Sequence, residues 1–197
     1  MAAAVALSLL EVIRARDLPT EILGSEDPAR TMPRRLGLSE AVELQIRRYR
    51  KEARKRRRIN DEEVRDLFGL VLRRPDSEEV FYQVGELLAG KDAPIRGWKR
   101  LLPRRIRYGM ARRQIRRRFR TLFGRAMGGF AQGRFTLEAR AHFLLEMDPG
   151  GDACALLTGF TRVILSRYLG SPVTVTHPHC RSRKDELCRW VATEVKD

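Results

Sequence analysis

Cysteine is scarce here, with three in 197 residues. An odd number cannot be fully paired within one chain, so free thiols or metal ligands outrank disulfides. Long apolar runs are also missing, and none approaches the roughly 20 residues that span a bilayer. The opening MAAAVALSLLEVIRARD is apolar only as far as Leu10. It has no basic segment ahead of that run and meets Glu11 and Arg14 instead of a small-residue cleavage site, so it reads as an amphipathic first helix of a cytoplasmic protein. A dinucleotide-binding loop is lacking as well, because Gly128, Gly129 and Gly133 do not match that fingerprint. No Ser-His-Asp set or carboxylate pair stands out, which points away from an enzyme.

Acidic residues are absent from Ala93 to Leu137, although the chain as a whole has 25 of them against 40 Lys and Arg, for a net charge of +15. The excess is concentrated in that region and in the block RRYRKEARKRRR, Arg47 to Arg58, while the tail from Glu138 is close to balanced. Arg54, Arg56, Arg57 and Arg58 in the block, and Arg112, Arg113, Arg116, Arg117 and Arg118 in the second segment, are candidate polyanion contacts. Arginine suits bidentate phosphate contacts. A solvated helix face is the plain reading of the same residues, and a nucleic acid or an anionic membrane surface the sharper one. There is no zinc-finger spacing, RNA-binding aromatic motif or helix-turn-helix to make nucleic-acid recognition specific.

Pro19, Gly24, Pro28 and Pro33 punctuate the chain after the first helix, and about Gly24 to Gly37 reads as an irregular connection. A helix then runs from Ser39 on Ala41, Val42, Leu44 and Ile46 into the basic block. Asn60 caps the next helix, with Glu63 in capping-box position and Val64, Leu67, Phe68, Val71 and Leu72 on one face. Asp76 and Glu79 repeat that spacing ahead of Val80, Phe81, Val84, Leu87 and Leu88, and Gly90 ends the stripe. In IRYGMARRQIRRRFRTLFGRAMGGF, Ile115, Phe119, Leu122, Phe123 and Met127 predict a basic amphipathic helix closed by Gly128 and Gly129. RFTLEARAHFLLEM reads as a strand in which Ala139, Ala141, Phe143 and Leu145 alternate with Arg140, His142 and Leu144. Asp152 is placed to cap a helix over ACALLTGFTRVILSRYL, ended by Gly170, and PVTVTH and CRWVATEV read as two strands. The order predicts an α+β fold, N-terminal helices followed by an antiparallel sheet packed against helices. Its divisions are 1–37, 38–92 with the basic block, and 93–197 with the C-terminal hairpin.

A hairpin between the last two strands brings Cys180 and Cys188 together, and Cys154 falls in the first turn of the preceding helix. With His177 at the end of a strand, three thiolates and one imidazole suit a closed tetrahedral zinc site of structural kind. The plain alternative is that the thiols are small buried hydrophobes. His179 is the spare imidazole, able to replace His177 as fourth ligand.

The run CALLTGFTRVILSRYLGSPVTVTHPHCRSRKDELCRWVATEV, Cys154 to Val195, resembles the C-terminal half of the 4-vinyl reductase domain. That small-molecule-binding fold is similar to the sensor domains of phenol- and xylene-responsive bacterial activators, to haem-NO-binding domains and to a Golgi transport subunit. The features that match are Gly159 inside the helix, a strand before the first loop cysteine, and a second cysteine eight residues later with an aromatic behind it, Cys188 and Trp190. The resemblance implies zinc held by Cys154, His177, Cys180 and Cys188, with His177 replacing an acidic ligand. The Gly-Asp usual before the second cysteine is Lys184-Asp185 here. It further implies a small apolar or aromatic ligand, with Phe143, Phe160 and Trp190 as candidate lining residues, a homodimer, and signalling to a separate regulatory partner. Against this non-catalytic sensing or adaptor domain stand a polyanion-binding protein and a tetrapyrrole vinyl reductase.

Overall fold

The computed structural model describes residues 1–17, 40–91, 101–124, 128–130, 135–140 and 142–194. The connection expected over Gly24 to Gly37, together with Ser39, Met127, Ala141 and Val195, lies outside them. The fold is α+β, as expected: among the described residues, seven α-helices and a four-stranded antiparallel sheet. The helices are α1 (Ala3–Asp17), α2 (Glu40–Arg54), α3 (Asp61–Leu72), α4 (Ser77–Gly90), α5 (Arg104–Phe123), α6 (Phe143–Met147) and α7 (Ala155–Leu169). The strands are β1 (Gly129–Phe130), β2 (Thr136–Ala139), β3 (Val173–His179) and β4 (Cys188–Glu194), in the order β1-β2-β4-β3.

Alternation decides which side of the sheet is buried. Leu137 and Ala139 of β2, Val173 and Val175 of β3, and Cys188, Trp190 and Ala192 of β4 all face the core. Leu137 sits opposite Trp190 in register, while on the outer face Glu138 sits opposite Arg189 and pairs with it at 2.8 Å. The helices cover the inner face. Phe160 of α7 meets Phe119 of α5 with ring centroids 5.1 Å apart, and Phe68 of α3 meets Phe81 of α4 at the same separation.

The closest helix contact is between α4 and α7, and two glycines permit it. A Cβ on Gly85 would collide with the carbonyl oxygen of Leu156 and lie 2.8 Å from the Phe160 nitrogen. One on Gly159 would collide with the Tyr82 carbonyl oxygen. The two backbones therefore touch without an intervening layer of side chains. Nearby, the Arg162 Nε donates to Glu86 at 2.9 Å and ties the two helices at their surface.

Several local expectations need correction. Helix α1 is not a one-sided surface helix. Ala3, Val5, Ala6, Leu7, Ser8, Leu9 and Leu10 are all buried, as befits a segment apolar all round. Leu44, expected on the apolar side of α2, is 61% exposed, while Ile46 is buried as expected and Tyr49 joins it in the core. Asn60 does cap α3, accepting the Glu62 N–H. Glu63 does not complete a capping box: its carboxylate takes the Tyr49 hydroxyl at 2.6 Å and pairs with Arg48. Asp76 likewise makes no cap hydrogen bond, because Arg74 and Arg16 claim its carboxylate. Helix α5 ends at Gly124, in the left-handed conformation at φ 76°, ahead of the glycine pair expected to close it. The strand expected through Phe143 and Leu145 stops at Ala139, and Phe143 begins the short helix α6. No described helix is long and apolar enough to cross a membrane.

Candidate metal centre

The stretch from α6 to α7 positions the first thiol. The buried carboxylate of Asp148 accepts the Gly150 N–H at 2.8 Å and the Ala153 N–H at 2.7 Å, holding the tight turn that leads into a 3-10 turn over Asp152–Cys154. This is the work expected of Asp152, whose carboxylate instead accepts the Ser77 hydroxyl at the start of α4. Gly151, at φ 96°, lets the turn pass close to the hairpin: a Cβ there would lie 3.0 Å from the Cys180 Sγ.

The other three donors come from β3, β4 and the loop between them. His177 lies near the end of β3, where the pairing register shifts between Thr176 and His179. Cys180 opens the loop and Cys188 begins β4. The loop is fastened at Cys180, whose N–H donates to the Asp185 carboxylate at 2.7 Å and whose carbonyl accepts the Arg183 N–H at 2.8 Å. The Cys180 N–H, followed by the His179 imidazole, holds the Asp185 carboxyl below the usual carboxylate range. Lys184 stands in the left-handed conformation at φ 74°, the geometry a glycine adopts without steric cost. Replacing a side chain there with none removes a strain of about 1 kcal/mol. Lys184→Gly is therefore expected to raise the unfolding midpoint by about 2–4 °C, read by differential scanning calorimetry.

These elements bring the expected residues together. One donor atom each from Cys154, His177, Cys180 and Cys188 lies within 4.8 Å of all the others, a group able to hold a metal ion. All three thiols are buried, none being more than 1% exposed. His179 is outside the group, bound on the loop surface to Asp185 at 3.4 Å. The Nε2 of His177 is buried and has no hydrogen-bond partner, a polar atom that a bound ion or a water would satisfy. Three thiolates this close repel one another by about 3 kcal/mol per pair at an effective dielectric constant of about 20, so charge must be shed or compensated. Without a metal, the hydrogen bond from Cys154 pushes the Cys188 thiol well down, aided by His142, His177 and the Arg181 N–H, and the same contact pushes Cys154 up. A metal held by this group would require thiolate ligands, so its uptake would release protons.

His142 carries no sequence motif that marks it for this site. It is 4% exposed, and its Nε2 lies 4.0 Å from the Cys154 Sγ. Trp190 sits between the two imidazoles, stacked on His177 with centroids 4.5 Å and planes 6° apart, and tilted against His142 at 5.7 Å. Such outer groups orient the ligands of a metal. The signal available was an imidazole just ahead of FLLEMDPGG, but a five-residue helix is too short for periodicity to reveal.

The three aromatic residues expected to line a pocket are buried in ring contacts: Phe160 on Phe119, Phe143 edge-on to Phe68 at 6.4 Å, and Trp190 as described. The expected basic residues divide. Arg56, Arg57, Arg58, Arg117 and Arg118 border one depression, and Arg113 and Arg116 an adjoining one. Arg112 packs over the Phe130 and Phe135 rings, and neither depression includes it or Arg54 among its lining residues. Comparison with protein-family models, with curated proteins and with solved structures finds no match to the chain.

Proposed function

We propose that the protein is a non-catalytic sensing or adaptor domain of the 4-vinyl reductase type, held together by a structural zinc ion and signalling to a separate partner. The observation that carries this reading is the Cys3His group, with one donor ahead of a helix and three on the following hairpin. Soft thiolates with one imidazole in a compact set select zinc. Four protein donors fill a tetrahedral shell and leave no position for a reacting water, so the ion's work is structural. The ligand in this reading is a small apolar or aromatic molecule. A depression of about 330 Å³ beside the Cys3His group, bordered by His142, Leu145, Glu146, Pro149, Arg181 and Ser182, supports that reading, at the small end of the size usual for such sites. Occupancy there touches His142, and through it Cys154.

Native mass spectrometry of protein purified without chelator tests both halves. The expected result is one zinc per chain, lost in Cys180→Ser, with an organic mass of the stated class retained or taken up on incubation with phenols. A folded chain that carries no metal ends the zinc reading, and a chain that takes up none of the phenols ends the sensing one.

A further inference from the structure

The two arginine-rich segments are far apart in the chain and meet in the fold. A depression of about 580 Å³ lies between the turn at Arg56, Arg57 and Arg58, the end of α4 at Leu88 and Lys91, and the α5 residues Arg117 and Arg118. No carboxylate is among its lining residues. A second depression of about 350 Å³ is bordered by Arg113, Arg116 and Arg120, and shares Arg117 and Thr121 with the first. The pair therefore forms one continuous cationic track. Among the described residues Arg57 is paired with Glu52 at 3.4 Å, while Arg56, Arg58, Arg113, Arg116, Arg117 and Arg120 have no carboxylate partner. Arg56 is itself left-handed, at φ 54°, an uncommon conformation for a long side chain.

Like charges at this spacing destabilise a helix by about 0.2–0.5 kcal/mol per pair, so α5 persists through the burial of its other face. That burial also decides the partner. Ala111, Ile115 and Phe119 are at most 1% exposed, and the large apolar side chain that α5 leaves out is Ile106, 49% exposed, so the helix lacks the continuous apolar side an interfacial helix needs. No aromatic ring is among the lining residues of either depression, and Phe130, beside the track, is covered by the Arg116 guanidinium 5.1 Å from its centroid, so base stacking is not what the track offers. What the track offers is a row of guanidinium groups for phosphate oxygens. We propose that it binds the sugar-phosphate backbone of a nucleic acid, without regard to base sequence.

The test is fluorescence anisotropy with a labelled random-sequence DNA duplex, from about 50 to about 200 mM salt. Binding should weaken steeply with salt, and R113A/R116A/R117A should lower affinity about tenfold or more and flatten the salt slope by about 0.9 for each phosphate no longer neutralised. Arg65, exposed on α3, is the control: R65A should change affinity less than about twofold. Three results would overturn the proposal: no binding at the lowest salt, a triple variant that remains folded by circular dichroism and binds as wild type, or a loss in R65A as large per charge as in the triple variant. Competition by inorganic polyphosphate at matched charge is expected to be weaker than by DNA. Equal competition would assign the track to phosphate chains at large, and preferential displacement by anionic vesicles would assign it to a lipid surface; either result overturns the nucleic-acid assignment.

Discussion

Chelation of the zinc-loaded protein is expected to lower its unfolding midpoint by about 8–16 °C. The figure follows from linkage: an ion present at about a thousandfold over its dissociation constant contributes about 4 kcal/mol, and each kcal/mol moves the midpoint of a chain this size by about 2–4 °C. The site gives the physical reason. Cys154, Cys180 and Cys188 are buried within 4.8 Å of one another, and only a cation allows all three to be thiolates there. Cys188→Ser keeps the shape of the side chain and removes the soft donor. Its midpoint should match that of the chelated wild type and no longer respond to chelator. Equal midpoints for treated and untreated wild-type protein, in a differential scanning calorimeter, would sink the idea.

The second large effect comes from the crossing of α4 and α7. Gly85→Ala and Gly159→Ala each improve intrinsic helix propensity by about 1 kcal/mol, so on local grounds alone both would stabilise. The added methyl groups, however, fall on the backbone of the facing helix, at Leu156 and Tyr82 respectively. Backbone cannot rotate aside as a side chain can, and overpacking costs of about 3 kcal/mol or more are expected. Against a usual total of about 5–15 kcal/mol, either change should lower the midpoint by about 6–12 °C or more. Gly69→Ala, on the open side of α3 with nothing within 4 Å of the added atom, should be neutral or stabilising. Thermal unfolding followed by circular dichroism compares the three, and similar midpoints for all three variants would refute the crossing as described.

The parts of the molecule legible in the sequence are those governed by short-range periodicity. β-branched residues at every second position mark β3 and β4, and their hairpin places Cys180 beside Cys188. Apolar residues at helical spacing mark α3, α4, α5 and α7, so Cys154 can be set near the start of a helix. Where two periods fit the same letters, sequence misleads: Ala139, Phe143 and Leu145 fit a strand, yet Phe143, Leu144 and Met147 are buried on α6. Side chains with two suitors are equally opaque, as with Glu63 and Asp76, whose carboxylates go to tyrosine and arginine in place of helix ends. The meeting of Arg58 with Arg117 depends on how α1, α4 and α5 pack, and nothing local encodes it.

Helix α4 touches both ends of the molecule's chemistry. Its first residue, Ser77, is bonded to Asp152 two positions before the Cys154 ligand, and at its other end Leu88 and Lys91 border the arginine-lined depression. Fourteen residues make a rod of about 21 Å. Midway, the rod is locked to α7 backbone against backbone, with no cushion of side chains on which to slide. One helix therefore joins the Cys3His group to the arginines, fixed at its middle by backbone contact.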